Sequence, residues 1–300
     1  MVMTTTPNPP RRVETAIIRP RWKRIRREIA GLDPAVDSER ITRLVLASLL
    51  PPVGSRMVLE VVFTVSLMRV MGQFEGAAAV DRQGHGKVHR HGDQRAADTI
   101  GHLVSWMTDG AGSARTQSAT AEVKRIHDGI GQRYQMSNET LVHTIAYFTV
   151  QIEYITAIVG APGFTEIERE AQVRHWRTIG EHLGVRDMPT SWQGMEDAVR
   201  AYERDPEWFG ASEAAHRAGE AILQQFGVRA FPSVLRWLAR PLVLSLHDDH
   251  VLDALGLSKP APAVVSSLRA AVRATFFLIR EVLPDPRIQP SAAVRTESSR

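Results

Sequence analysis

The 300-residue chain contains no cysteine, which excludes disulfides, iron–sulfur clusters, zinc–thiolate sites and every other thiolate-ligated centre. A metal held here must use His, Met, Tyr, Lys or carboxylate. Long apolar runs are also missing. The tract 57–71 is interrupted by Glu60 and Arg69, and 231–246 by Arg236, Arg240 and Pro241; both are short for a bilayer span. No apolar core follows the N-terminal charges as a secretion signal would require, so the expectation is an intracellular, cytoplasmic protein. Sustained strand alternation with hairpin turns is absent, as is any repeat of fixed period.

What is present is ordinary for a soluble globular protein. Hydrophobic residues make up 43% and charged residues 23% of a chain long enough to bury a sizeable core. The formal charge of +4 is unevenly placed. Arg11, Arg12, Arg19, Arg21, Lys23, Arg24, Arg26 and Arg27 face only Glu14 and Glu28 in the first thirty residues. Such an arm suits peripheral contact with a membrane surface or a solvated helix face. Nucleic acid is not expected as a partner, because only Trp22 is interleaved as a stacking group.

Helical signals run along the whole chain. Asp33-Pro34 reads as an N-cap followed by proline at the first helical position, and Pro51-Pro52 ends that helix. Ser55 is expected to cap a helix that is apolar nearly all round, hence central. Helical periodicity resumes from 94 to about 107. Ser118 and Ser137 are expected to cap the next two helices, the second ending at Gly160, and capping boxes open further helices at Thr165 and Thr190. Tracts near 212–225, 232–247 and 262–283 follow. These signals predict an all-α domain of about ten helices over 31–285, packed in globin-like or bundle fashion around a buried cofactor pocket. An arm (1–30) precedes it and a polar tail (286–300) follows.

Ionisable groups stand at helix-compatible positions in apolar surroundings at Arg95, His127 and His143. Singly, each has an ordinary reading: a core histidine with a satisfied hydrogen bond, or a salt-bridged arginine. Together they form a coherent constellation. Neutral imidazole is a good iron ligand, Gly129 and Gly131 would let a flat macrocycle approach the backbone, and Arg95 and Thr99 share one helix face. His143, Tyr147, Gln151 and Tyr154 form a polar-aromatic stripe at spacings of three and four. The cluster His85, His89 and His91 lacks a regular metal-ligand spacing, and a di-iron bundle would need a second Glu-x-x-His beside Glu213-Ala-Ala-His216.

Arg95-x-x-x-Thr99, Arg-Ile-His127-Asp-Gly-Ile-Gly131, Tyr134, Leu-Val-His143-Thr, Trp176-Arg-Thr-Ile-Gly180 and Met-Pro189-Thr-Ser-Trp192 resemble the MpaB and rubber oxygenase catalytic-domain family over roughly 30–285. The resemblance implies a mostly helical fold around haem b, with dioxygen as co-substrate and oxidative cleavage of C=C bonds in an apolar, isoprenoid-like substrate. On that pattern His127 is the proximal iron ligand, with Gly131, Tyr134 and Arg95 in the cofactor pocket. Arg95 and Thr99 are the family's pair beside the haem, and His143 a recurring family histidine of the catalytic set. Asp98 stands where rubber-cleaving members can place a lysine as second iron ligand, so an open sixth position or another closing residue is expected, and a substrate other than rubber. The alternative is a non-catalytic helical protein of the same fold that binds a lipid-like ligand or a partner.

Overall fold

The computed structural model describes residues 23–51 and 54–286; the predicted tail and most of the basic arm lie outside the described residues. Fourteen α-helices make up the described part: α1 (Arg24–Ile29), α2 (Pro34–Leu49), α3 (Ser55–Val70), α4 (Phe74–Asp81), α5 (Lys87–Arg90), α6 (Gly92–Asp109), α7 (Ala114–Gly131), α8 (Asn138–Val159), α9 (Glu166–Leu183), α10 (Trp192–Arg204), α11 (Glu213–Ala230), α12 (Ala239–Ser245), α13 (Asp249–Ala254) and α14 (Pro262–Phe277). A 3-10 turn (Ser233–Leu238) leads into α12 and a π turn (Leu278–Val282) continues α14. No strand occurs among the described residues, only an isolated bridge between Gln73 and Phe209. The count exceeds the expected ten because α1, α4, α5, α12 and α13 have four to eight residues, too few for helical periodicity to show.

Local chemistry sets the helix ends. Asp33, Ser137 and Thr165 accept hydrogen bonds from the backbone N–H groups of Ala35, Thr140 and Glu168, and Thr165 with Glu168 completes a capping box. Three expected caps move. Gly54 rather than Ser55 precedes α3, Ser113 rather than Ser118 caps α7, and Ser191 rather than Thr190 caps α10. The boundary of the arm moves too, since Ile25 and Ile29 of α1 are buried against α2.

Three apolar clusters hold the fold. The largest joins α3, α8, α10, α11, α12 and α13 around Met68, Tyr147, Val150, Met195, Phe226 and Leu252. A second packs α1 and α2 on α9. The third, around Trp106, Trp176 and Ile179, seats the α6–α7 hairpin on α9. Two helical stretches, Asn138–Val159 and Pro262–Val282, are long and apolar enough to cross a membrane; half of the first is buried, but only 6% of the second.

Candidate functional site

Helix α6 and helix α7 form an antiparallel hairpin joined by residues 110–113. Leu103 and Met107 of α6 and Ala119 and Val123 of α7 share the cluster around Trp106. Arg95 with Thr99 on α6, and His127 with Gly131 on α7, are each four residues apart and so share one face of their own helix.

Each of these residues has spare bonding capacity. The half-buried His127 makes no hydrogen bond among the described residues, and burial lowers its pKa below 6.5 despite neighbouring Asp128. It is therefore a neutral imidazole with a free lone pair near pH 7. Arg95 is half-buried with no ion-pair or hydrogen-bond partner for its guanidinium among the described residues. Burial, with a smaller contribution from Arg82, pulls its pKa down to about 10. Thr99 Oγ1 donates to the Arg95 carbonyl at 2.9 Å, leaving its oxygen lone pairs free to accept. Tyr134 is half-buried and Asp98 exposed.

These features fit a haem. Its iron needs a neutral nitrogen donor, which His127 offers, and its propionates need a cation, which Arg95 offers. A Cβ on the exposed Gly101, Gly129 or Gly131 would meet no atom within 4 Å, so these glycines face solvent and leave the backbone of both helices approachable. Leu103, Met107, Val123 and Ile130 are only half-buried there.

An apolar cleft adjoins α6. It is lined by Leu46 and Leu49 of α2, Val62 of α3, Leu103 and Val104 of α6 and Phe148 of α8, among others, and its cavity volume is about 80 Å³. Polar lining is limited to Thr149, Gln151 and Gln172. Such a wall suits an apolar ligand.

His143 sits elsewhere, in a buried ionic cluster that the motif pattern did not reveal. Gln73 Nε2 donates to His143 Nδ1 at 2.6 Å, and His143 Nε2 then donates to Glu203 at 3.2 Å. With both ring nitrogens engaged, His143 has no lone pair to offer a metal. Glu203 also accepts from Arg69 through Nε and Nη2, each at 2.7 Å, and from His250 at 2.9 Å. Arg69 reaches Asp248 at 3.1 Å and lies over the rings of Tyr147 and Tyr154, 5.2 and 4.3 Å from their centroids. Burial alone would raise the Glu203 pKa, but hydrogen bonds from His143, His250 and Arg69 hold it well below the usual carboxylate range. Burial lowers His143 below 6.5 against the pull of Glu203. The predicted stripe on α8 is real, and its counterpart is Arg69. Arg69 and Glu60, interruptions of an apolar run, were the signal: Glu60 likewise accepts from buried Arg229 at 3.0 Å.

The remaining histidine motifs have other partners. His89 bonds Asp81 at 2.8 Å and His85 accepts from Arg90 at 2.8 Å. His216 bonds the Leu255 carbonyl at 3.0 Å, and Glu213 pairs with Arg217 at 3.1 Å.

Residues 55–280 match the family described as ER-bound oxygenase mpaB/B′/rubber oxygenase, catalytic domain. Among curated proteins, the chain is similar to the ER-bound oxygenase mpaB of Penicillium roqueforti (strain FM164), with 24% identity over 131 residues. That alignment covers 43% of this chain and 44% of the relative, so the match spans less than half of either protein.

Proposed function

Because the chain belongs to the mpaB and rubber oxygenase catalytic-domain family, we propose that it is a haem b-dependent oxygenase that acts with dioxygen on an apolar, isoprenoid-like substrate. Oxidative C=C cleavage is the reaction the reading favours. The observation that carries it is the α6–α7 hairpin, where an unpartnered neutral His127 and an unpartnered Arg95 face the demands of one cofactor.

Haem bound here would supply the redox chemistry toward dioxygen. The chain's own residues do the rest. His127 would hold the iron through its free nitrogen, and Arg95 would pair with a propionate. Thr99 Oγ1, its proton turned to the Arg95 carbonyl, keeps its lone pairs free to accept. The cleft between α2, α3, α6 and α8 orients an apolar chain and excludes water from it. His143 is a positioning residue in this scheme, fixing α8 to α4 and α10 through Gln73 and Glu203.

Absorption spectroscopy tests the reading directly. Protein expressed with a haem precursor should show a Soret band that shifts on reduction, and His127→Ala should lose or displace it while keeping its far-UV circular dichroism. A wild-type protein without a Soret band, or an unchanged band in the variant, would overturn the proposal. The apolar cleft also suits a non-catalytic binding protein of the same fold; a haem-loaded protein that consumes no oxygen with any isoprenoid would favour that second reading.

A further inference from the structure

Helix α14 is unusual among the long helices because it is apolar yet faces outward. Of its sixteen residues only Val265 is fully buried. Val264 and the aromatic-aliphatic end formed by Phe277, Leu278 and Val282 are exposed, Phe277 by 60%. The 3-10 turn before α12 carries a second exposed group, Val234 (76%), Leu235 and Trp237 (69%). Helix α12 connects the two, because the turn runs into it and it packs along α14, with Arg269 Nε donating to the Ser245 carbonyl at 2.8 Å. Exposed apolar groups of this kind mark an interaction site.

Charge and chain path say what covers it. From Pro262 to Val282 the segment holds Arg269, Arg273 and Arg280 and one acid, Glu281; Glu281 pairs with Arg26 at 2.9 Å and Arg280 with Glu168 at 3.8 Å, which leaves Arg273 as the exposed cation of the helix. Arg273 and, in the turn, Arg236 are exposed, with no acidic partner among the described residues. Lys23, where the described chain begins, donates to the carbonyls of Ile279 and Leu283 at 2.9 and 3.0 Å. In the sequence, Arg11, Arg12, Arg19 and Arg21 precede Lys23. Apolar side chains flanked by exposed cations match the interface of an anionic bilayer.

We propose that α14 and the 3-10 turn form a membrane-docking face that lies in the headgroup region of an anionic lipid bilayer, with Arg236 and Arg273 as its cations. The helix lies on the membrane and does not span it, because its inner side is committed to the domain. Val272 and Phe276 pack on the main core, and Lys23 and Arg269 tie its backbone and its neighbour in place. Phe276 also lines the apolar cleft while adjacent Phe277 faces outward, so an apolar ligand passes from bilayer to cleft at this turn. That last step rests on the proposed oxygenase reading, whereas the docking face does not.

Vesicle flotation of the full chain separates the two, since it needs neither haem nor oxygen. Wild-type protein should float with phosphatidylcholine vesicles containing phosphatidylglycerol, and added salt should weaken the binding. The double variant Phe277→Ser, Leu278→Ser should bind about a hundredfold more weakly, roughly tenfold for each large apolar side chain withdrawn. Arg236→Glu with Arg273→Glu should lose most of the preference for anionic over neutral vesicles. All four positions are exposed, and unchanged thermal melts would confirm that these variants fold. No flotation of the wild type, or equal flotation of the serine double variant, overturns the proposal. So does a concentration-dependent dimer that the serine substitutions dissolve, which would make the face an interface between copies of this chain.

Discussion

Replacing Glu203 by Gln keeps the side-chain shape and removes the charge that balances Arg69. Both partners have side chains only 3% exposed, and the guanidinium gives two 2.7 Å hydrogen bonds to the two carboxylate oxygens. After the substitution Arg69 keeps Asp248, whose side chain is 38% exposed, and the faces of two tyrosines. Removing one partner of a buried pair costs about 3–5 kcal/mol, and the remaining contacts put the expected loss near the low end, about 3 kcal/mol. That lowers the folded-to-unfolded ratio roughly a hundredfold. Urea denaturation at neutral pH should show a lower midpoint with an unchanged slope. Pairing Glu203→Gln with Arg69→Met should recover much of the loss, because no uncompensated cation stays buried. The same carboxylate shapes the acid limb. Its pKa is depressed from 4.5, so the folded chain binds fewer protons there than the unfolded chain. Its stabilisation is complete above that pH and is lost as the pH falls below it. The variant should lack this part of the limb. An unchanged midpoint together with an unchanged acid limb would refute Glu203 as the counter-ion of Arg69.

The sequence shows its helices well wherever a cap or an apolar stripe is long enough to register. Asp33-Pro34, Ser137 with Gly160, and the Thr165 capping box all appear where the chain chemistry places them. Ser113 is missed in favour of Ser118 because glycines at 110 and 112 allow the loop to end earlier than the periodicity implies. The spacing of Arg95 with Thr99 and of His127 with Gly131 is legible because each pair repeats at helical spacing within one helix. The Arg69–Glu203 pair is not, since its members lie 134 positions apart and only tertiary packing joins them. A lone charge in an apolar run reads equally well as an interruption. Some motif pairs make sense only in three dimensions: Met188 lies where a Cβ on Gly180 would fall, so the glycine of one motif admits the methionine of the next. Helix α14 was legible as a helix but not as an exposed one, because period alone does not say which face finds a partner.

Two further substitutions test buried groups that lack partners. His175 is 1% exposed with neither ring nitrogen hydrogen-bonded, and burial holds its pKa at about 4 instead of 6.5. A lowered histidine binds fewer protons when folded, so it supports stability above 6.5 and costs about 3 kcal/mol as the pH falls toward 4. His175→Phe should flatten the decline of the urea midpoint across that window, and an equally steep decline would count against a neutral, unpartnered imidazole. Arg95→Met makes opposite predictions for two forms of the protein. In the haem-free form the guanidinium is a partly desolvated cation without a counter-ion, so its removal should raise stability by about 1–2 kcal/mol, read as a higher melting temperature. On the proposed reading, a haem-loaded form would lose the partner of a propionate by the same change, so haem should transfer to an acceptor globin several-fold faster. An arginine that merely supports the fold would show a lowered melt in the haem-free form and no change in haem transfer, so the pair of measurements separates a waiting counter-ion from a structural one.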